Sequence, residues 1–180
     1  MFFHLRDLEV RPAPFKVEIP AGKIEFLDPK LRQGGALEAS GKAELAVEAL
    51  GEIRVKGHVK VVMECECDRC LEITKLPIDS DFELVYQPVE ADHRGGEDRL
   101  LDDADAQMGF YEGEGLELND VLREFVLLTL PMQRLCRENC VGICPVCGQN
   151  RNKQDCQCQT KAVDDRWSAL KEVVLKNAKN

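Results

Sequence analysis

From Leu37 to Tyr86 the chain alternates apolar and polar positions with a period of two. Ala43, Leu45 and Val47 share one face, as do Ile53 and Val55, and then Val59, Val61 and Met63. Ile73 to Leu76, followed by Phe82, Leu84 and Tyr86, repeats the pattern on the way back. Such alternation predicts half-buried strands, with Leu50-Gly51-Glu52 as a turn and Gly57 as a break. The period then changes. Leu118, Val121, Leu122, Phe125 and Leu128 fall on one helical face, which predicts a helix over 118–130, capped by Asn119 or Asp120 and stopped by Pro131. The apolar end of that helix, Phe125 to Leu130, predicts burial against the sheet. A last helix is expected behind Asp164 or Asp165, with Trp167, Leu170 and Val174 as its packing face and Lys171, Lys176 and Lys179 complementing its dipole. Residues 1–36, where Pro12, Pro14, Pro20 and Pro29 surround the alternating Phe15, Val17 and Ile19, predict edge strands and loops. Residues 88–115, acidic and rich in glycine, predict a loop.

These elements define an α+β class. The expected arrangement is an antiparallel β-meander, or partly open barrel, packed with a helix over 1–132. A cysteine-rich module with a terminal helix follows over 133–180. A chain of 180 residues has enough length to bury a core. Its longest apolar run, Phe125 to Leu130, falls far short of the roughly 18 residues of a membrane span. The opening MFFHLRDLEV carries Arg6, Asp7 and Glu9 where a signal peptide needs an apolar stretch. A cytoplasmic location is therefore expected, and there thiols stay reduced.

Reduced thiols matter because eight of the nine cysteines fall in four close pairs: Cys67-x2-Cys70, Cys136-x3-Cys140, Cys144-x2-Cys147 and Cys156-x-Cys158. The odd total also counts against a complete disulfide scheme. In Cys144-Pro-x-Cys147-Gly the proline fixes one backbone angle and the glycine can turn left-handed, which aims amides at the thiolate sulfurs. Cys156 and Cys158 supply the second half of a four-thiolate site with Cys144 and Cys147. Cys67, Cys70, Cys136 and Cys140 would make a second site joining the first part of the chain to its C-terminal module. The alternative is one site on the last four cysteines, with the others as buried thiols. Zinc favours four such ligands in a tetrahedron, and closed all-cysteine sites are structural. Iron–sulfur clusters take the same ligand set. Cys65 continues the apolar face of Val59, Val61 and Met63, so it reads as a buried strand cysteine. His4, His58 and His93 stand apart from every cysteine pair and read as ordinary surface or satisfied histidines.

The net charge of −9 is unevenly spread. Residues 90–124 hold twelve acids against three arginines, whereas 133–180 hold nine basic residues against five acids. Arg134, Arg137, Arg151, Lys153 and Lys161 are candidates for contact with RNA or a partner. They could equally neutralise the −2 charge of each tetrathiolate zinc.

The motifs together resemble the YceD-like family, bacterial proteins linked to accumulation of large-subunit ribosomal RNA, with chloroplast relatives. The resemblance rests on Val55-Lys56-Gly57 leading into Cys67-Asp-Arg-Cys70-Leu71-Glu72, and on Leu118 to Pro131. It continues through Cys136-x3-Cys140-Val-Gly-Ile-Cys144-Pro-x-Cys147-Gly-x-Asn150, Cys156-x-Cys158 and Asp165-Arg166-Trp167. Gln149-Asn150-Arg151-Asn152 departs slightly from the family's run, a difference expected to be harmless. The resemblance implies a ribosome-assembly role without catalysis, with large-subunit ribosomal RNA, a large-subunit ribosomal protein, or both as partners. It also suggests a gene neighbour encoding a small zinc-containing large-subunit protein. Two other classes stay open. One is a zinc-ribbon module for protein contact or transcription. The other is a thiol redox protein working through Cys67 and Cys70.

Overall fold

The computed structural model describes residues 1–46, 51–89 and 108–158. The expected C-terminal helix around Trp167, Lys161, Val47 and most of the acidic stretch lie outside these residues. The chain divides into two compact units. The first comprises Met1–Asp68 and Glu72–Cys136, and the second Arg69–Leu71 with the residues from Arg137 onward.

In the first unit the predicted alternation becomes a sheet. Strand β2 (Ala13–Ile19) pairs antiparallel with β4 (Leu37–Leu45), β4 with β5 (Ile53–Glu66), and β5 with β6 (Ile73–Pro88). The short β3 (Arg32–Gln33) adds to β5, and β7 (Met108–Tyr111) pairs with β6. The sheet is open, not a barrel: its path runs β2-β4-β5-β6-β7. Nor is it wholly antiparallel, because β7 runs parallel to β6. Parallel neighbours need a crossover of a dozen or more residues, and the chain between Pro88 and Met108 is long enough to supply one.

Strand β5 shows how one face came to be buried. Ile53, Val55, Val59, Val61, Met63 and Cys65 all face the core. On the other face Lys56 pairs with Glu83 at 3.0 Å, and His58 is held between Asp79 and Asp81. Gly57 is therefore no break, and the strand runs straight through it. Gly57 stands opposite Gly41 in the register. A Cβ on Gly57 would meet the Ser40 carbonyl oxygen at 2.5 Å and the Phe82 ring at 3.0 Å. The Phe15 ring crosses Gly41 in the same way. The glycines admit two aromatic rings instead of ending a strand. Pro77 sits within β6, where β5 is the one paired neighbour among the described residues, so its missing N–H can face an unpaired edge.

Helix α2 (Leu118–Thr129) packs Leu118, Val121, Leu122 and Val126 into the core. Phe125 stacks near Phe82 with ring centroids 5.0 Å apart. Two expectations are corrected. The cap position is Glu117, with Asn119 and Asp120 inside the first turn and no side-chain cap bond. Leu128, placed on the packing face by its spacing, is 69% exposed, and Val126 takes its place. Leu128 and Val126 flank the apolar stripe on opposite sides, and of the two only Val126 is buried. The helix stops at Leu130, ahead of Pro131.

Residues 1–36, read as edge strands and loops, do supply a strand: β1 (Phe2–His4) pairs with β8 (Gly115–Glu117). The β8 strand and α1 (Leu5–Val10), which follows β1 in the chain, were not expected. The stretch 88–115 is consequently not all loop: Pro88 ends β6, Met108–Tyr111 forms β7 and Gly115 begins β8. Phe110 and Tyr111 favour extended backbone, and the Tyr111 hydroxyl donates to the Gly51 carbonyl, which fastens β7 in place.

Candidate metal centre

Two cysteine knuckles share one backbone plan. In the first, the Cys67 amide donates to the Glu72 carbonyl at 2.8 Å; in the second, the Cys144 amide donates to the Gln149 carbonyl at 2.8 Å. Each places a left-handed residue directly after its second cysteine, Leu71 at φ 62° and Gly148 at φ 74°. In the second knuckle the Gly148 amide also donates to the Cys144 carbonyl at 2.8 Å, as the proline–glycine pattern predicts. Leu71 does the same work without a glycine, so sequence gave no warning of it.

The knuckles bring the sulfurs together. Cys67, Cys70, Cys136 and Cys140 form one group, and Cys144, Cys147, Cys156 and Cys158 the other. Within each group all four sulfurs lie within 4.8 Å of one another. Zinc–sulfur bonds of about 2.3 Å in a tetrahedron put sulfurs about 3.8 Å apart, so small closures of the side chains suit such an ion. Three of the first group's cysteines are buried and Cys136 is exposed. The second group is more open, with Cys147 exposed. Cys65 belongs to neither group. It is buried in β5, and burial pushes its thiol pKa up.

Polar groups around the sulfurs fit the thiolate form. The Cys136 amide donates to the Cys67 sulfur at 3.3 Å. The amides of Cys147 and Val146, then the Cys156 thiol, aim at the Cys144 sulfur and pull its pKa down to about 6. Its neighbours carry the opposite cost. Donation to Cys144 pushes Cys156 up, and Cys158, bonded first to Cys147, is pushed up to about 12. One thiolate among four crowded thiols repels the next ionisation; a bound cation would remove that penalty and release the protons.

Asn152 was missed. Its side-chain amide donates to the Cys140 sulfur at 3.2 Å and to Asn150 at 2.9 Å, while its carbonyl oxygen accepts from the Val141 amide at 2.9 Å and from Arg137 at 2.8 Å. It lies in the loop between Cys147 and Cys156, yet it orients a cysteine of the other group. The run from Gln149 to Asn152, which departs slightly from the family's, thus contains a residue bonded to a sulfur of the first group. Arg69 was also missed. Its guanidinium donates to the Cys140 carbonyl at 3.0 Å, and its own carbonyl accepts from the Ile143 amide at 2.9 Å. Gly142 permits that approach, since a Cβ there would meet the Arg69 oxygen at 2.9 Å.

The basic candidates divide by environment. Arg134 is half-buried, with its guanidinium on Asp28 at 2.7 Å and its amide on Asp68 at 2.6 Å. Arg137, Arg151 and Lys153 are exposed. No helix among the described residues is long and apolar enough to cross a membrane.

The fold and its clustered thiols define the class: an α+β protein with two all-cysteine groups able to hold metal ions. The family described as large ribosomal RNA subunit accumulation protein YceD matches residues 55–173, and the chain belongs to that family. It is 28% identical over 139 residues to the chloroplastic large ribosomal RNA subunit accumulation protein YCED homolog 1 of Arabidopsis thaliana, covering 66% of this chain and 43% of the relative. The maize protein of the same name is 26% identical over 135 residues, covering 63% and 46%. An uncharacterized protein of Mycobacterium tuberculosis is 26% identical over 173 residues, covering 96% and 74%. The chain thus spans less than half the length of the plant relatives. No solved structure matches it.

Proposed function

We infer that this protein is a non-enzymatic, cytoplasmic ribosome-assembly factor that supports accumulation of large-subunit ribosomal RNA by binding that RNA, a large-subunit ribosomal protein, or both. Membership of the YceD family supports the ribosomal part of the reading. The observation that supports its non-enzymatic part is the closed composition of the two sulfur groups. Eight cysteines serve two groups of four, and among the described residues no histidine or carboxylate joins either. A catalytic zinc needs an open position and usually a nearby acid or base.

Zinc is the ion that suits these donors. When bound it would supply a charge centre that holds four thiolates at fixed geometry, with Cys67, Cys70, Cys136 and Cys140 on one ion and Cys144, Cys147, Cys156 and Cys158 on the other. The chain's own part is to present the sulfurs on two knuckles, stabilise them with amides and Asn152, and hold Arg137, Arg151 and Lys153 on a rigid surface.

The test is a tagged pull-down from growing cells across a salt series, with RNA and protein both identified. Enrichment of large-subunit precursor RNA or early large-subunit proteins over small-subunit ones is expected. Loss of the RNA with rising salt would mark phosphate contact, and a salt-resistant protein complex would mark the other partner class. Recovery of neither overturns the reading.

A further inference from the structure

The first unit contains an open cavity of about 620 Å³, walled by β7, β8 and α2 and lined by no cysteine. Its lining leaves large apolar side chains in water: Phe2 is 43% exposed, Phe110 51% and Leu128 69%. The position of Leu128 explains why the helix spacing misplaced it. It belongs to a second apolar surface facing this cavity and not to the core. Four carboxylates share the lining, Glu112, Glu117, Asp120 and Glu124, against one guanidinium, Arg123. Arg123 is bonded to Asp120 at 2.8 Å, the Met1 ammonium meets Glu117 at 2.7 Å, and Glu124 accepts from the Tyr86 hydroxyl at 2.7 Å. The lining remains acidic after these pairings are counted.

The geometry points to this cavity as a docking groove for a lysine- or arginine-rich polypeptide segment carrying interspersed apolar residues. Long cationic side chains lay their methylene stems and guanidinium planes on aromatic faces and reach carboxylates with their heads, which is the combination Phe2 and Phe110 offer beside Glu112 and Glu117. RNA is disfavoured here, because phosphates would meet the carboxylates across a short distance. The net charge of −9 adds a long-range field that attracts a cation and repels a polyanion. The proposal deepens the assembly-factor reading by giving it a polypeptide partner class with its own site, whose lining includes none of the basic candidates Arg134, Arg137, Arg151 and Lys153.

The test uses the full, metal-loaded chain and a fluorescein-labelled peptide alternating arginine with leucine, followed by anisotropy. Two controls are the same peptide with glutamine for arginine and a single-stranded RNA oligonucleotide. Saturable binding of the cationic peptide is expected, falling with salt. It should weaken by about tenfold or more in both Glu112→Lys and Leu128→Asp. Both positions lie on the cavity wall, so melting temperature and metal content should stay at wild-type values and thereby exclude misfolding. Equal binding by these variants, equal binding of the glutamine peptide, displacement by the RNA, or no saturable binding would each overturn the groove assignment. None of these outcomes bears on the cellular pull-down, so the site and the ribosomal reading can fail separately.

Discussion

Leu71 holds a backbone conformation that costs a non-glycine residue roughly 1–2 kcal/mol. It is 54% exposed, so truncating it sacrifices only part of a burial contribution. Leu71→Gly should therefore raise the stability of the metal-loaded protein by about 1 kcal/mol in denaturant unfolding; a clear loss would mean the leucine packs in a way its exposure does not suggest. Asn152→Leu should weaken metal binding by about 10- to 100-fold while leaving the saturated metal count unchanged, because a lost bond to a ligand sulfur loosens a site without removing a donor. Competition against a coloured chelator would measure this, and an unchanged affinity would remove Asn152 from the site. Among residues, the cysteines could be read directly, since thiol pairs at ligand spacing carry their chemistry in their identity. Asn152 could not, because an asparagine's partners depend on where two separate loops meet.

Strands β5 and β6 were legible because one buried face imposes a period of two over 14 and 16 residues. The error at Gly57 has a physical source. Glycine marks either a turn or a close approach, and only the ring of Phe82 tells which. Gly57→Val should cost about 1–3 kcal/mol by forcing the Ser40 carbonyl and that ring apart; a wild-type unfolding midpoint would show that the sheet yields freely. The α1 helix spans six residues and buries only Leu8, too little for a helical period to register. His58 makes a prediction for the solvent face of the same hairpin. Asp81, then Asp79, raises its pKa above the ordinary 6.5. The sign follows: the stabilisation is fully present below pH 6.5 and is lost as pH rises through the raised folded-state value. A proton-NMR titration should find the elevated pKa, and Asp81→Asn should bring it back toward 6.5; an unshifted His58 would contradict the contact.

For the whole molecule, the α+β class and the grouping of eight cysteines could be anticipated, whereas the parallel β6–β7 pairing could not. Local patterning specifies strand faces but not which distant strand lies alongside, and Val85 and Met108 meet across a long connection. The acidic groove escaped for a similar reason: Phe2, Phe110 and Leu128 come from separate elements and share no sequence pattern. What depends most on long-range order is the pair of four-sulfur groups, on which both the structural-metal assignment and the non-enzymatic reading rest. Native mass spectrometry of the purified protein, with metal identified by elemental analysis, tests this most directly. Two zinc ions are expected in the wild-type chain and one in each of Cys70→Ser and Cys147→Ser. A single ion in the wild type that survives Cys70→Ser, or a metal count unmoved by either substitution, would contradict that expectation.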